Sequence, residues 1–123
     1  SRMAGLYTPT DGISGNGAKA YRCLTCHSAV TYSDRLLEIG GINRHVFTNP
    51  SGIRCDLHTF YSCPGATCHG GATEAYTWFA GYRWRLAFCT RCGEHLGWHY
   101  EALSDISRPE EFWGILTVHL AVH

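Results

Sequence analysis

The sequence predicts a mostly β domain of antiparallel strands. Three observations carry that reading. Between Tyr21 and His123, short runs rich in aromatic and β-branched residues alternate with period two. Glycines break those runs at short intervals, at Gly40-Gly41, Gly52, Gly65, Gly70-Gly71, Gly81, Gly93 and Gly97. Two Cys-x-x-Cys pairs, Cys23/Cys26 and Cys89/Cys92, mark two tight turns of identical spacing.

The elements follow in order. Residues 1–20 read as a flexible lead-in, because 8–17 are turn-forming and carry no apolar period. Residues 21–123 form the domain. Ser33–Ile39 suits a short helical turn. Leu57, Thr59 and Tyr61 alternate with His58, Phe60 and Ser62. Tyr82, Trp84, Leu86 and Phe88 share one strand face, and Arg83 and Arg85 point away from it. Trp98 and Tyr100 lie on one face, with His99 on the other. The C-terminal piece is open. Ser107-Arg-Pro-Glu110 fits a capping box for a helix through Phe112–Leu116. The same residues form strands well, and Gly114 weakens a helix.

Composition narrows the function. The 123 residues make one domain. Ten basic residues, nine Arg and Lys19, balance ten acidic ones, so the net charge is zero. Such a chain lacks the electrostatic footprint of a duplex nucleic-acid binder. It lacks the polybasic segment of a membrane-surface protein. No apolar run approaches the ~20 residues needed to span a bilayer. Neither nucleic acid nor membrane is an expected partner.

Seven cysteines and four tryptophans stand out from this background. Two Cys-x-x-Cys turns brought together supply four thiolates at tetrahedral geometry, which suits structural Zn²⁺. All four positions are then filled by Cys23, Cys26, Cys89 and Cys92, leaving no open site for catalysis. His27 and His95 lie beside the pairs and are the alternative ligands. The redox alternative expects a βαβ context, which is missing. Cys55, Cys63 and Cys68 remain. Cys63 and Cys68 either close a disulfide or stay free thiols, and the extra cysteines weakly favour a secreted protein.

Trp78, Trp84 and Trp98 cluster late in the chain, with Tyr76, Tyr82 and Tyr100 alongside. They suit either a packed core or an open aromatic box for a flat or cationic ligand. Trp113 sits in a continuous apolar run and fits the core.

These residues together resemble a known family. Tyr21-Arg-Cys23-x-x-Cys26 comes first, then Phe47-Thr-Asn49-Pro50-Ser-Gly52 and Tyr76-Thr-Trp78-Phe-Ala-Gly-Tyr82-Arg-Trp84. Cys89-x-x-Cys92, His95-Leu-Gly97-Trp98-His-Tyr100 and Phe112-Trp113-Gly114 complete the series. The pattern is similar to the thalidomide-binding (CULT) domain of cereblon and its single-domain bacterial and secreted relatives. The resemblance runs from about Tyr21 to Val118.

It implies two antiparallel sheets meeting at an angle, a β-tent, pinned by a zinc site at Cys23, Cys26, Cys89 and Cys92. It implies a cage walled by Trp78, Trp84 and Trp98 over Tyr100. Asn49 and Pro50 would lie over the ligand, and the Tyr76-Thr77-Trp78 segment would meet its imide. The C-terminal piece becomes strand first. The function implied is non-enzymatic binding of cyclic imides, whether the glutarimide of thalidomide-type drugs or a cyclic imide at a protein C-terminus. The other readings are an enzyme acting on cyclic imides and a methionine-sulfoxide-reductase-like repair protein. Tyr76 and Ser51 stand where the vertebrate member has His, which alters the rim and leaves the cage. No ligase-adaptor domain fits within 123 residues, so ubiquitin-ligase partners are not implied.

Overall fold

The computed structural model describes residues 17–122. Most of the expected lead-in lies outside the described residues. Nine strands follow: β1 (Ala20–Cys23), β2 (Ala29–Tyr32), β3 (Arg44–Thr48), β4 (Arg54–Phe60), β5 (Ala66–Thr73), β6 (Tyr82–Cys89), β7 (His95–Ala102), β8 (Glu111–Leu116) and β9 (Leu120–Val122). All pair antiparallel.

The strands divide into two sheets. The small one has the order β2-β1-β9, so the chain's last described strand returns beside its first. The large one has the order β3-β4-β8-β7-β6-β5. β5 through β8 are sequential hairpins joined by short links, two of which carry a glycine, Gly81 and Gly93. β4 then pairs with β8, which joins the β3–β4 hairpin to that meander.

Phe112–Leu116 is strand, and Ser107–Glu110 lies in the β7–β8 connection without capping a helix. Packing settles the ambiguity. Gly114 lies opposite both Trp98 and Thr59, and a Cβ there would press on Leu57 and Tyr100 at 3.2 Å. Gly97, opposite Ile115, is tighter still, since a Cβ there would run into the Gly114 carbonyl. The two glycines let β7 and β8 close on each other beneath the large rings. The expected turn at Ser33–Ile39 is shorter, a single 3-10 turn over Ser33–Arg35. The chain beyond it lies along β4, with Leu37 N–H donating to the Thr59 carbonyl.

The apolar residues gather in two clusters. One holds Tyr21, Val30, Phe60, Leu96 and Ile115 together with Cys23, Cys63 and Cys89. The other is built on Leu57, Phe79, Tyr100 and Phe112, with Trp78, Trp84 and Trp98 packed onto it. Each such side chain contributes about 1.5–3 kcal/mol by leaving water. The opposite face of β6–β8 is mixed: Ile115 and Trp113 join the first cluster, and polar pairs occupy the rest. Arg83 and Arg85 reach Glu101 at 3.1 and 3.5 Å, and His99 meets Glu111 at 2.8 Å.

Candidate functional site

The first site joins the two sheets. Cys23 ends β1 and Cys89 ends β6, and each opens the same turn. His27 N–H donates back to the Cys23 carbonyl (2.8 Å), and Gly93 N–H donates back to the Cys89 carbonyl (2.9 Å). The fifth residue of each turn has positive φ, 67° at His27 and 80° at Gly93. Folding back in this way brings the second cysteine of each pair beside the first. All four Sγ atoms lie within 4.8 Å of one another. Cys23 and Cys92 are 3.6 Å apart, and Cys26 and Cys89 are 3.7 Å apart.

This group can hold a metal ion, and the surroundings favour the thiolate at Cys26 and Cys89 while Cys23 and Cys92 are held toward the thiol. Burial opposes ionisation of Cys89, yet the Ser28 hydroxyl and the Cys92 and Arg91 backbone N–H groups pull its pKa down to about 6. Ser28 also lies 3.1 Å from Cys26. Sequence reasoning missed Ser28, since one serine near a cysteine pair is no signal. Neither His27 nor His95 joins the cluster. The His95 ring bonds to the Gly97 carbonyl (2.9 Å). Cys63 and Cys68 are free thiols, so the described structure has no bridge between them.

The second site lies on one face of the β6–β7 hairpin. Trp84 pairs across the ladder with Tyr100, and Trp98 stands two residues before Tyr100 on the same face. Trp78 comes from the β5–β6 connection and Asn49-Pro50 from the β3–β4 turn. Together with Tyr76 they surround a cavity of about 220 Å³. Trp78 and Trp98 meet edge to face, with centroids 5.0 Å apart and planes at 77°. Tyr100 forms the floor at 2 % exposure. Burial holds its phenol above the usual tyrosine range, so it is uncharged at neutral pH. Among the described residues no acidic or basic side chain lines the cavity.

Several contacts hold the walls. The Trp84 indole N–H donates to the Ala75 carbonyl (2.8 Å), tying one wall to the loop that bears another. Tyr76 in that loop has φ 56°, a conformation L residues adopt reluctantly. The Asn49 side-chain oxygen accepts from Ser51 and Ile53 N–H, both at 2.9 Å, which fixes the β3–β4 turn. Thr77 is the exception among the expected residues. It does not line the cavity, and its hydroxyl folds back onto the Phe79 carbonyl (3.3 Å). Two supports escaped the sequence reading. Phe47 stacks on Trp78 at 4.9 Å, and Phe79 packs edge-on against Tyr100 and Phe112. Period two upstream of Asn49 was the available signal for Phe47.

No family model matches the chain. The curated relatives that match are cereblons. The chain is 33% identical to protein cereblon of Gallus gallus over 69 residues, 56% of this chain and 16% of that one. It is 26% identical to protein cereblon of Drosophila persimilis over 99 residues, 77% of this chain and 16% of that one. The Danio rerio protein is 32% identical over 69 residues.

The chain carries a cereblon-like CULT domain.

It spans about a sixth of the length of the cereblons it matches. Within this cereblon-like domain the four-cysteine cluster and the aromatic cavity occupy two ends of one hairpin. The β6–β7 turn supplies Cys92, and the strands leading from it supply Trp84, Trp98 and Tyr100.

Proposed function

We propose that this cereblon-like domain is a non-enzymatic binding module whose aromatic cage takes an uncharged cyclic imide. The observation that carries the reading is the enclosure of a 220 Å³ space by three indoles and a buried phenol, with no charged group in its lining. Drug-sized pockets run to about 300–1,000 Å³, so this one suits a single compact ring with the rest of the ligand outside. Indole faces bury the CH₂ groups of a glutarimide. Its imide N–H and carbonyls need partners once desolvated. Among the described residues no hydrogen bond engages the backbone of Tyr76 or Trp78, so these groups are open to the imide. An opened, ionised acid would lose hydration with no cation to pair with.

Two ligand sources share that chemistry, a thalidomide-type drug and a cyclic imide at a protein C-terminus. Cereblon's other partners are not carried over to a chain spanning a sixth of its length. Zinc is the structural ion of this reading. A tetrahedron with Zn–S bonds of about 2.3 Å has sulfurs about 3.8 Å apart, close to the 3.6 and 3.7 Å separations here. The hydrolase and sulfoxide-reductase readings need a nucleophile or reactive thiol at the cavity. Cys55, Cys63 and Cys68 are absent from its lining, and burial raises the thiol pKa of Cys55 and Cys63.

The test is calorimetric titration of the zinc-loaded protein with glutarimide and with its ring-opened acid. Saturable binding of the imide alone is expected. The Trp98→Ala variant should lose about 2–4 kcal/mol of it, as anchors in desolvated pockets do, with zinc content unchanged. Equal binding of acid and imide, or wild-type affinity in Trp98→Ala, would overturn the proposal.

A further inference from the structure

Behind the Trp78 wall stands a titratable group that no ligand contact requires. His45 lies on β3 and is 9 % exposed. Its ring is parallel to Phe47, with planes at 2° and centroids 6.0 Å apart. Phe47 is parallel in turn to Trp78, at 8° and 4.9 Å. The rings form a three-layer stack, His45, Phe47 and Trp78, with the cage wall outermost. Phe79 closes the side of the His45 ring, edge to face at 5.2 Å. The ring is anchored from below. Its Nε2–H donates to the Ile42 carbonyl (3.1 Å), which also accepts Ile39 N–H (2.8 Å).

We propose that His45 is a positioning residue for the cage, holding Trp78 in place through Phe47, and that its protonation releases this wall. The inference rests on the cage reading for its ligand consequence only. Among the described residues, the groups around His45 offer an imidazolium no counterion. From β4 comes Leu57, its cross-strand partner, and beside it Cys55 opposite Phe47. From the β5–β6 connection comes Phe79, which packs on the ring and in turn on Tyr100 of β7. Burial keeps Cys55 and Tyr100 in their neutral forms. The charged residues of these strands lie on the opposite face, where Arg44 and Asp56 pair at 2.9 Å and Arg54 and His58 flank Asp56. Burial therefore lowers the His45 pKa from the ordinary histidine value.

The sign follows from that direction. The ring is neutral at pH 7, and the ordered stack is fully present above about pH 6.5, the unfolded histidine value. As pH falls below that, protons bind preferentially to states in which the ring has left the stack. Apparent affinity then scales with the fraction of molecules whose cage is intact. One pH unit below the midpoint of the transition, imide binding should be weaker by about tenfold.

The test uses the zinc-loaded full chain, with the indole N–H resonances followed by NMR from pH 7.5 to 5. In wild type the Trp78 resonance should move with a midpoint below the ordinary histidine range. In His45→Phe, which keeps a ring without a proton site, and in His45→Gln, which keeps a donor for Ile42, it should stay fixed. Glutarimide affinity at pH 7.5 and 5.5 should fall in wild type and be pH-independent in His45→Phe. A Trp78 resonance that ignores pH in wild type, or titrates alike in His45→Phe and His45→Gln, overturns the proposal. If glutarimide binds at neither pH, the cage reading fails, and the ligand-free indole titration still decides the role of His45.

Discussion

The two metal-site turns share one backbone geometry and differ in one residue, which gives a paired experiment of opposite signs. Both need a left-handed residue four positions after the first cysteine. The second turn places Gly93 there and the first places His27. A side-chain-bearing residue in this region costs about 1–2 kcal/mol. Glycine avoids that strain but gives up roughly 0.5–1 kcal/mol of chain entropy on folding. His27→Gly should therefore stabilise by about 0.5–1 kcal/mol. The interactions that shape the turn survive, because they are backbone: His27 N–H to the Cys23 carbonyl, and the His27 carbonyl to Arg22 (2.9 Å). Gly93→Ala should destabilise by a similar amount, and by strain alone, since its Cβ would enter open space. For a domain of this size the melting temperature should move about 2–5 °C up and down respectively. Calorimetry of the zinc-loaded proteins measures both shifts, with metal content checked before each scan. A lower melting temperature for fully loaded His27→Gly, or shifts of the same sign in both variants, would refute the strain argument.

Two further outcomes are expected. Trp84→Phe keeps an aromatic wall but removes the donor to Ala75. It should loosen the Trp78 loop and weaken glutarimide binding by about two- to tenfold, the scale of one hydrogen bond; unchanged affinity by calorimetry would show that the loop is held by other means. Extraction of metal with a strong chelator should release one zinc per chain and lower the melting temperature steeply, because an ion held by the four cysteines would join the β1–β2 turn to the β6–β7 turn, and such sites supply on the order of 10 kcal/mol of folding free energy. A melting curve unchanged after complete extraction would remove the structural role.

The sequence disclosed whatever depends on local spacing. The paired cysteines identify their own cluster, because a tight turn fixes where two residues separated by two others must point. Tyr82/Trp84 and Trp98/Tyr100 disclosed the cage face for the same reason, since period two assigns faces without knowledge of the partner strand. What stayed hidden depends on tertiary approach. Gly114 reads locally as a weak point of helix or strand alike, and its meaning comes from Leu57 and Tyr100 pressing on it from other elements. Thr77 sits between two cavity residues, yet its side chain turns inward onto its own loop. Phe47 and His45 look like ordinary strand residues until the β3–β4 hairpin is laid beside the β5–β6 connection.

The placement of the two sites on one hairpin bears on how the cage keeps its shape. The β6–β7 turn ends where the Glu94 carbonyl accepts Cys89 N–H (2.8 Å), closing the second cysteine turn. The next residue, His95, lays its ring at 87° to Trp98, 5.5 Å away, and also packs on Phe88. The metal end of the hairpin thus leads directly into one wall of the cage. Trp84 shares that link, since β6 carries it toward Cys89, whereas Trp78 comes from outside the hairpin. Trp78 depends on the Phe47 stack and on a loop held by the Trp84 indole. Trp84, Trp98 and Tyr100 are set by strand pairing and the cysteine turns, while Trp78 rests on Trp98 and, through Phe47, on the β3–β4 hairpin. On the proposed reading, a ring ligand would be admitted by movement of Trp78, leaving undisturbed the sheet that sets the rest of the outline.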